Sequence, residues 1–145
     1  MEVVHFMLCL DAKYDPVTDK TQFAKVFNHV ELPTGTTHLP TIFFGYGIKN
    51  VSETARICVV AIDTDGSTEQ LCEYSEYAPN AENCLVGALE VFQPSFDSTG
   101  RHRFGLVVAD NVVGTLDMEI EDSGLDGPTK FTMQHKVRLQ PPTNG

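Results

Sequence analysis

The stretch from Lys130 to Leu139 constrains the fold most. Phe131, Met133, His135, Val137 and Leu139 fall on one face of an extended chain, and Lys130, Thr132, Gln134, Lys136 and Arg138 fall on the other. Successive side chains of a strand point to opposite sides of a sheet, so a period of two marks a half-buried β-strand. A turn-rich gap, Asp122-Ser-Gly-Leu-Asp-Gly-Pro128, separates this strand from what precedes it. It therefore reads as an added arm that needs a sheet edge, in its own subunit or in another.

The rest of the chain repeats the pattern. Glu2 to Leu10 is rich in Val, Phe, Met and Leu, and Asp11 to Asp19, with its Asp and Pro residues, reads as a loop. Gln22 to Leu32 alternates again. In Thr41 to Ile48, Gly45 and Gly47 interleave with Phe43, Phe44 and Tyr46, which predicts a bend or a bulge where another backbone comes close. Arg56 to Ile62 and Glu69 to Tyr77 meet at Asp63-Thr-Asp-Gly66, the clearest hairpin. A second hairpin joins His102–Ala109 to Val112–Glu121 at Asp110-Asn111, with Leu116, Met118 and Ile120 inward and Asp117, Glu119 and Glu121 outward. Asn83 to Phe92 carries both helical and strand spacing, and the neighbouring strands favour strand. The expectation is an all-β chain, an antiparallel β-sandwich of about seven to nine strands with an added C-terminal strand. Residues 1–122 form the sandwich domain. Residues 123–145 supply a turn-rich connection, a basic amphipathic strand over 129–139 and a flexible end.

At 145 residues a single domain buries roughly 70% of the surface its extended chain exposes, so a core forms without staples. The net charge of −10 disfavours direct nucleic-acid binding, because a phosphate backbone is repelled by such a field. Between Glu53 and Asp97 nine acids face a single cation, Arg56, whereas Arg101, Arg103, Lys130, Lys136 and Arg138 crowd the last third. Opposite charges pair across strands, so the basic strand is expected beside this acidic middle. The alternative is a dipolar surface that steers a partner. The N-terminus resembles no signal peptide and no run spans a membrane, so a cytoplasmic protein without membrane contact is expected. Cys9, Cys58, Cys72 and Cys84 fall in strand-like runs without the spacing of a zinc site and read as reduced core residues. Cys58 and Cys72 flank the first hairpin, which leaves a redox pair as an alternative.

No motif carries catalytic chemistry. Asp63-x-Asp65-Gly66 opens like a calcium loop but lacks the further ligands at the required offsets, and a plain hairpin turn explains it better. Asp11, Asp15 and Asp19 are further oxygen donors for a cation bound between loops. Arg101-His102-Arg103 is an anion clamp in one reading and the charged guard of an edge strand in another. His5, His29, His38, His102 and His135 are scattered, and His5 and His135 read as core or interface histidines. Phe43, Phe44 and Tyr46 read as core packing, with a sugar platform as the alternative. There is no nucleophile elbow and no phosphate-cradling loop. No cofactor and no metal is expected.

The order Leu8-Cys9-Leu10-Asp11-Ala12, Val26-Phe27, Ile62-Asp-Thr-Asp-Gly66 and Gly100-Arg-His-Arg-Phe-Gly-Leu-Val-Val108 resembles a family of small bacterial β-sandwich proteins of unknown function. The resemblance runs from about Val3 to Glu121 and implies no activity. It departs at Leu10, where an acidic residue is expected. The functional expectation is a non-enzymatic protein-binding or structural module, self-associating through Lys130, Phe131, Met133, Lys136, Val137, Arg138 and Leu139. Its partner would be another protein or a second copy of itself. The alternatives are an acidic viral or mobile-element antagonist that mimics nucleic acid, and a calcium- or small-ligand-binding sandwich.

Overall fold

A computed structural model describes residues 1–18, 20–36, 38–96 and 98–133. Ten strands follow one another: β1 (Glu2–Asp15), β2 (Lys20–Leu32), β3 (Ile42–Lys49), β4 (Ala55–Ile62), β5 (Thr68–Gln70), β6 (Ser75–Tyr77), β7 (Leu85–Val91), β8 (Gly100–Val108), β9 (Asn111–Asp122) and β10 (Lys130–Met133). The ambiguous segment at 83–92 is thus a strand. Its apolar residues Leu85, Leu89 and Val91 are buried while Val86 and Glu90 are exposed, which is the alternation of a half-buried strand.

The strands form one open sheet in the order β5-β4-β8-β9-β2-β1-β3-β7, with β6 added to β4 and β10 added to β2. All described pairs are antiparallel except β2 with β9, where His29 to Leu32 run alongside Glu119 to Asp122. The antiparallel expectation is therefore corrected to a mixed sheet. Two hairpins, β1–β2 and β8–β9, lie side by side, and the strands that meet happen to run the same way. The described residues hold nine strands before the added β10, which is within the expected number. Leu71 to Tyr74 interrupt the return of the first hairpin and divide it into β5 and β6.

The sheet curls over its own apolar face. Phe44 of β3 and Phe104 of β8 are four places apart in the strand order, roughly 19 Å in a flat sheet at the usual strand spacing. Their rings nevertheless meet edge to face at 5.2 Å. The curvature brings Leu8, Phe27, Val30, Phe44, Tyr46, Ile57, Phe104, Leu106, Met118 and Ile120 into one buried cluster. Removing that apolar surface from water is the main force holding the fold.

Two local expectations are corrected. The polar run after Leu10 is not a loop, because Asp11 to Asp15 continue β1 in register with Ala24 to Lys20. Its tip is exposed, and a polar ribbon paired through its backbone needs no buried side chain. Gly45 and Gly47 sit in an unbroken β3, and what approaches them is side chain, not backbone. A Cβ on Gly45 would meet the Phe23 ring at 2.7 Å, and one on Gly47 would run into the His5 imidazole. The bulge lies on the partner strand, between Val3 and His5.

Candidate functional site

β2 changes partners at Phe27. Before it, Lys20 to Phe27 pair with β1; at it and beyond, Phe27 to Glu31 pair with β10. His29, Val30 and Glu31 each have a second partner in β9, so β2 lies between β9 and β10 at this point. Of the partner-binding residues expected from the sequence, Lys130 stands opposite Glu31, Phe131 opposite Val30 and Met133 opposite Phe27. Phe131 turns inward and stacks edge to face on Phe27, with ring centroids 4.8 Å apart, whereas Lys130 and Met133 are exposed. Lys136, Val137, Arg138 and Leu139, and with them His135, lie outside the described residues.

This placement corrects the charge argument. Lys130 faces Glu31 of β2 and not the acidic middle, since β5 and β6 are carried by β4 at the far end of the sheet. Exposed and half-buried side chains of four strands instead form a polar ladder on the outer face. Arg103 donates to Asp117 at 2.9 Å and Arg101 lies 3.7 Å from Glu119, both between β8 and β9. The Arg103 hydrogen bond holds the Asp117 carboxyl below its usual range. Next comes His29 of β2, with Nε2 3.3 Å from Glu121 Oε2 and Nδ1 3.0 Å from the Thr132 hydroxyl of β10. His29, Glu31 and Glu121 each offer a donor atom within 4.8 Å of the others.

Sequence reasoning missed this triad. His29-x-Glu31 was a readable signal, because residues two apart in a strand share a face. Glu121 was not, since nothing local marks a parallel pairing between strands so distant in the chain.

The other candidates separate. The anion clamp at Arg101 and Arg103 does not form, because both guanidiniums are already committed to carboxylates. The edge-guard reading fails as well, since β8 lies inside the sheet between β4 and β9. His102 instead holds the Ser98 carbonyl at 2.8 Å and packs on Phe96. In the Asp63–Gly66 turn the Asp63 carbonyl accepts from Gly66, and Asp65 is engaged by the backbone and hydroxyl of Ser67. Asp15 is occupied in the same way by Val17 and Thr18, and Asp19 lies outside the described residues. Phe44 and Tyr46 are core residues, which leaves no platform for sugar at those rings.

All four cysteines are free. Cys9 and Cys58 are buried strand residues, as expected; Cys72 and Cys84 sit outside strands and are half-buried. Burial pushes the Cys9 thiol up to about 11 and raises Cys58 and Cys72, so these three thiols stay protonated at neutral pH and are poor nucleophiles. His5 is only partly satisfied. Its Nε2 is buried without a hydrogen-bond partner among the described residues, its ring meets Phe23 at 5.4 Å, and burial lowers its pKa.

No protein-family model matches the chain, and no curated protein matches it, which is consistent with an uncharacterised family. Among solved structures, the chain is similar to the Pseudomonas fluorescens alkylpurine DNA glycosylase AlkC bound to DNA containing an abasic site analog. The TM-score is 0.43 with 10% identity, over 80% of this chain and 30% of that one. The exclusion of direct nucleic-acid binding expected from the sequence is withdrawn. The exclusion rested on whole-chain charge, and net charge does not fix the sign of one local face. At this level the likeness assigns no ligand and no activity. No helix of the described residues is long and apolar enough to cross a membrane.

Proposed function

We propose that the chain is a non-enzymatic, cytoplasmic protein-binding module built as a β-sandwich, and that it takes up its partner, a second copy of itself foremost, where β10 lies on β2. One observation carries this reading. β10 adds to a strand edge through four residue pairs and one half-buried aromatic contact, after a turn-rich connection from β9. Strand addition draws affinity from backbone hydrogen bonds and specificity from alternate side chains. An arm held by so few pairs exchanges between copies at little cost, since each copy recovers the same pairs from the other. Covering the β2 edge also removes a site of uncontrolled pairing. The folding over of the sheet, with Phe44 against Phe104, supports the sandwich.

Light scattering on the full chain and on a chain ending at Asp122 tests the proposal. Exchange requires a full-length dimer and a truncated monomer. The same oligomeric state for the two chains would overturn it.

A further inference from the structure

We infer that His29, Glu31 and Glu121 bind a divalent transition-metal ion, zinc(II) foremost. The site stands on the intrachain position of β2, β9 and β10 and does not depend on self-association. His29 and Glu31 share one face of β2, and Glu121 is the parallel partner of Glu31. Their donor atoms lie within 4.8 Å of one another, and His29 Nε2 is already 3.3 Å from Glu121 Oε2. Donors around a tetrahedral zinc ion stand roughly 3.3 Å apart, so the remaining closure is a matter of side-chain rotation. Glu121 is free to supply it, with 59% of its side chain exposed.

The imidazole is prepared for ligation. Its Nδ1 is 3.0 Å from the Thr132 hydroxyl; with that oxygen accepting, Nδ1 carries the proton and the Nε2 lone pair faces the carboxylates. A metal-binding histidine is commonly held in its tautomer by such an outer partner. Electrostatics point the same way. Two carboxylates share a small volume, and among the described residues Glu31 has no hydrogen-bond or ion-pair partner. Lys130 stands opposite Glu31 in register but forms no ion pair with it, and the nearby Glu119 is engaged by Arg101. One imidazole and two carboxylates suit zinc and its neighbours better than calcium, which takes six to eight oxygens. Three protein ligands leave a coordination position for water or for a partner's side chain. A bound ion would tie β9 to β2 directly and, through Thr132, bring β10 to the same centre.

Zinc(II) titrated into the chelator-treated full chain tests the site, read by calorimetry and by the side-chain nitrogen resonances of the histidines. The expected result is one equivalent bound with a shift of the His29 Nε2 signal. Affinity should fall at least tenfold in His29→Gln and in Glu121→Gln, and a further variant, Thr132→Val, should lose about tenfold through its outer-partner role. A His29 signal unmoved by zinc, or affinity unchanged in the Glu121→Gln chain, would overturn the inference. Glu121 is exposed enough that its variant should fold, and the wild-type resonance decides the matter if any variant does not.

Discussion

The β8–β9 hairpin and the β2–β10 contact are the same kind of structure made under opposite conditions. Both are antiparallel, both bury one face, and both set a cation opposite an acid on the other. The hairpin joins nine residue pairs across a two-residue turn and buries Phe104, Leu106, Val108, Met118 and Ile120. The β2–β10 contact joins four pairs, links residues 103 positions apart at His29 and Thr132, and half-buries one ring. Closing a long loop costs entropy that few contacts repay. The hairpin is thus a committed part of the core, and the arm is a peripheral addition to it. On the proposed reading, that difference is what lets β10, and not β9, serve a second molecule.

The largest expected effect breaks the hairpin side. Phe104→Ala should destabilise by about 3–5 kcal/mol, the usual cost of emptying a buried aromatic site, read as a lower urea midpoint. Phe131→Ala should cost only about 1 kcal/mol, because a half-exposed ring recovers less on burial. Equal losses for the two variants would erase the distinction between core and arm.

A smaller effect concerns the charged face. Arg103 holds the folded Asp117 carboxyl below its usual range, so this group contributes stability above the unfolded value of about 4 and loses it as pH falls through the folded one. The pair is largely exposed, with side-chain accessibilities of 51% and 37%. Asp117→Asn should therefore cost under about 1 kcal/mol at neutral pH and flatten the acid limb of a pH series of urea midpoints. An unchanged acid limb would remove Asp117 from the ladder. His5 works in the same direction near neutrality. Its lowered pKa means that stability falls as pH drops below about 6.5, and His5→Phe should remove that slope.

The smallest effect has the opposite sign. Ala109 and Asp110 both take left-handed backbone, with φ of 50° and 67°, as a two-residue hairpin turn of this kind demands. Alanine is strained there and glycine is not, so Ala109→Gly should stabilise by about 0.5 kcal/mol, read as a higher melting temperature.

That turn shows how far the sequence could be read. The hairpin was legible because alternation and a turn-favouring pair lie next to each other, but its centre is Ala109-Asp110, one residue before the Asp110-Asn111 expected. Asn111 acts instead by donating to the Ala109 carbonyl at 2.9 Å. The inward set Leu116, Met118 and Ile120 was legible for the same reason. The parallel meeting of β2 and β9 was not, because pairing between distant strands leaves no period in either. Hence His29 and Glu31 could be placed on one face from sequence, while Glu121 could join them only through the fold. The glycines of β3 signalled a close approach, but the backbone expected there is replaced by the rings of Phe23 and His5.

The most direct test mixes equal amounts of isotope-labelled and unlabelled full chain and observes the Phe27 and Phe131 rings by filtered nuclear Overhauser spectroscopy. Their centroids are 4.8 Å apart, close enough for a signal. Arm exchange requires that signal to arise between a labelled and an unlabelled chain. A signal confined within single chains would contradict it and leave β10 as a strand of its own subunit alone.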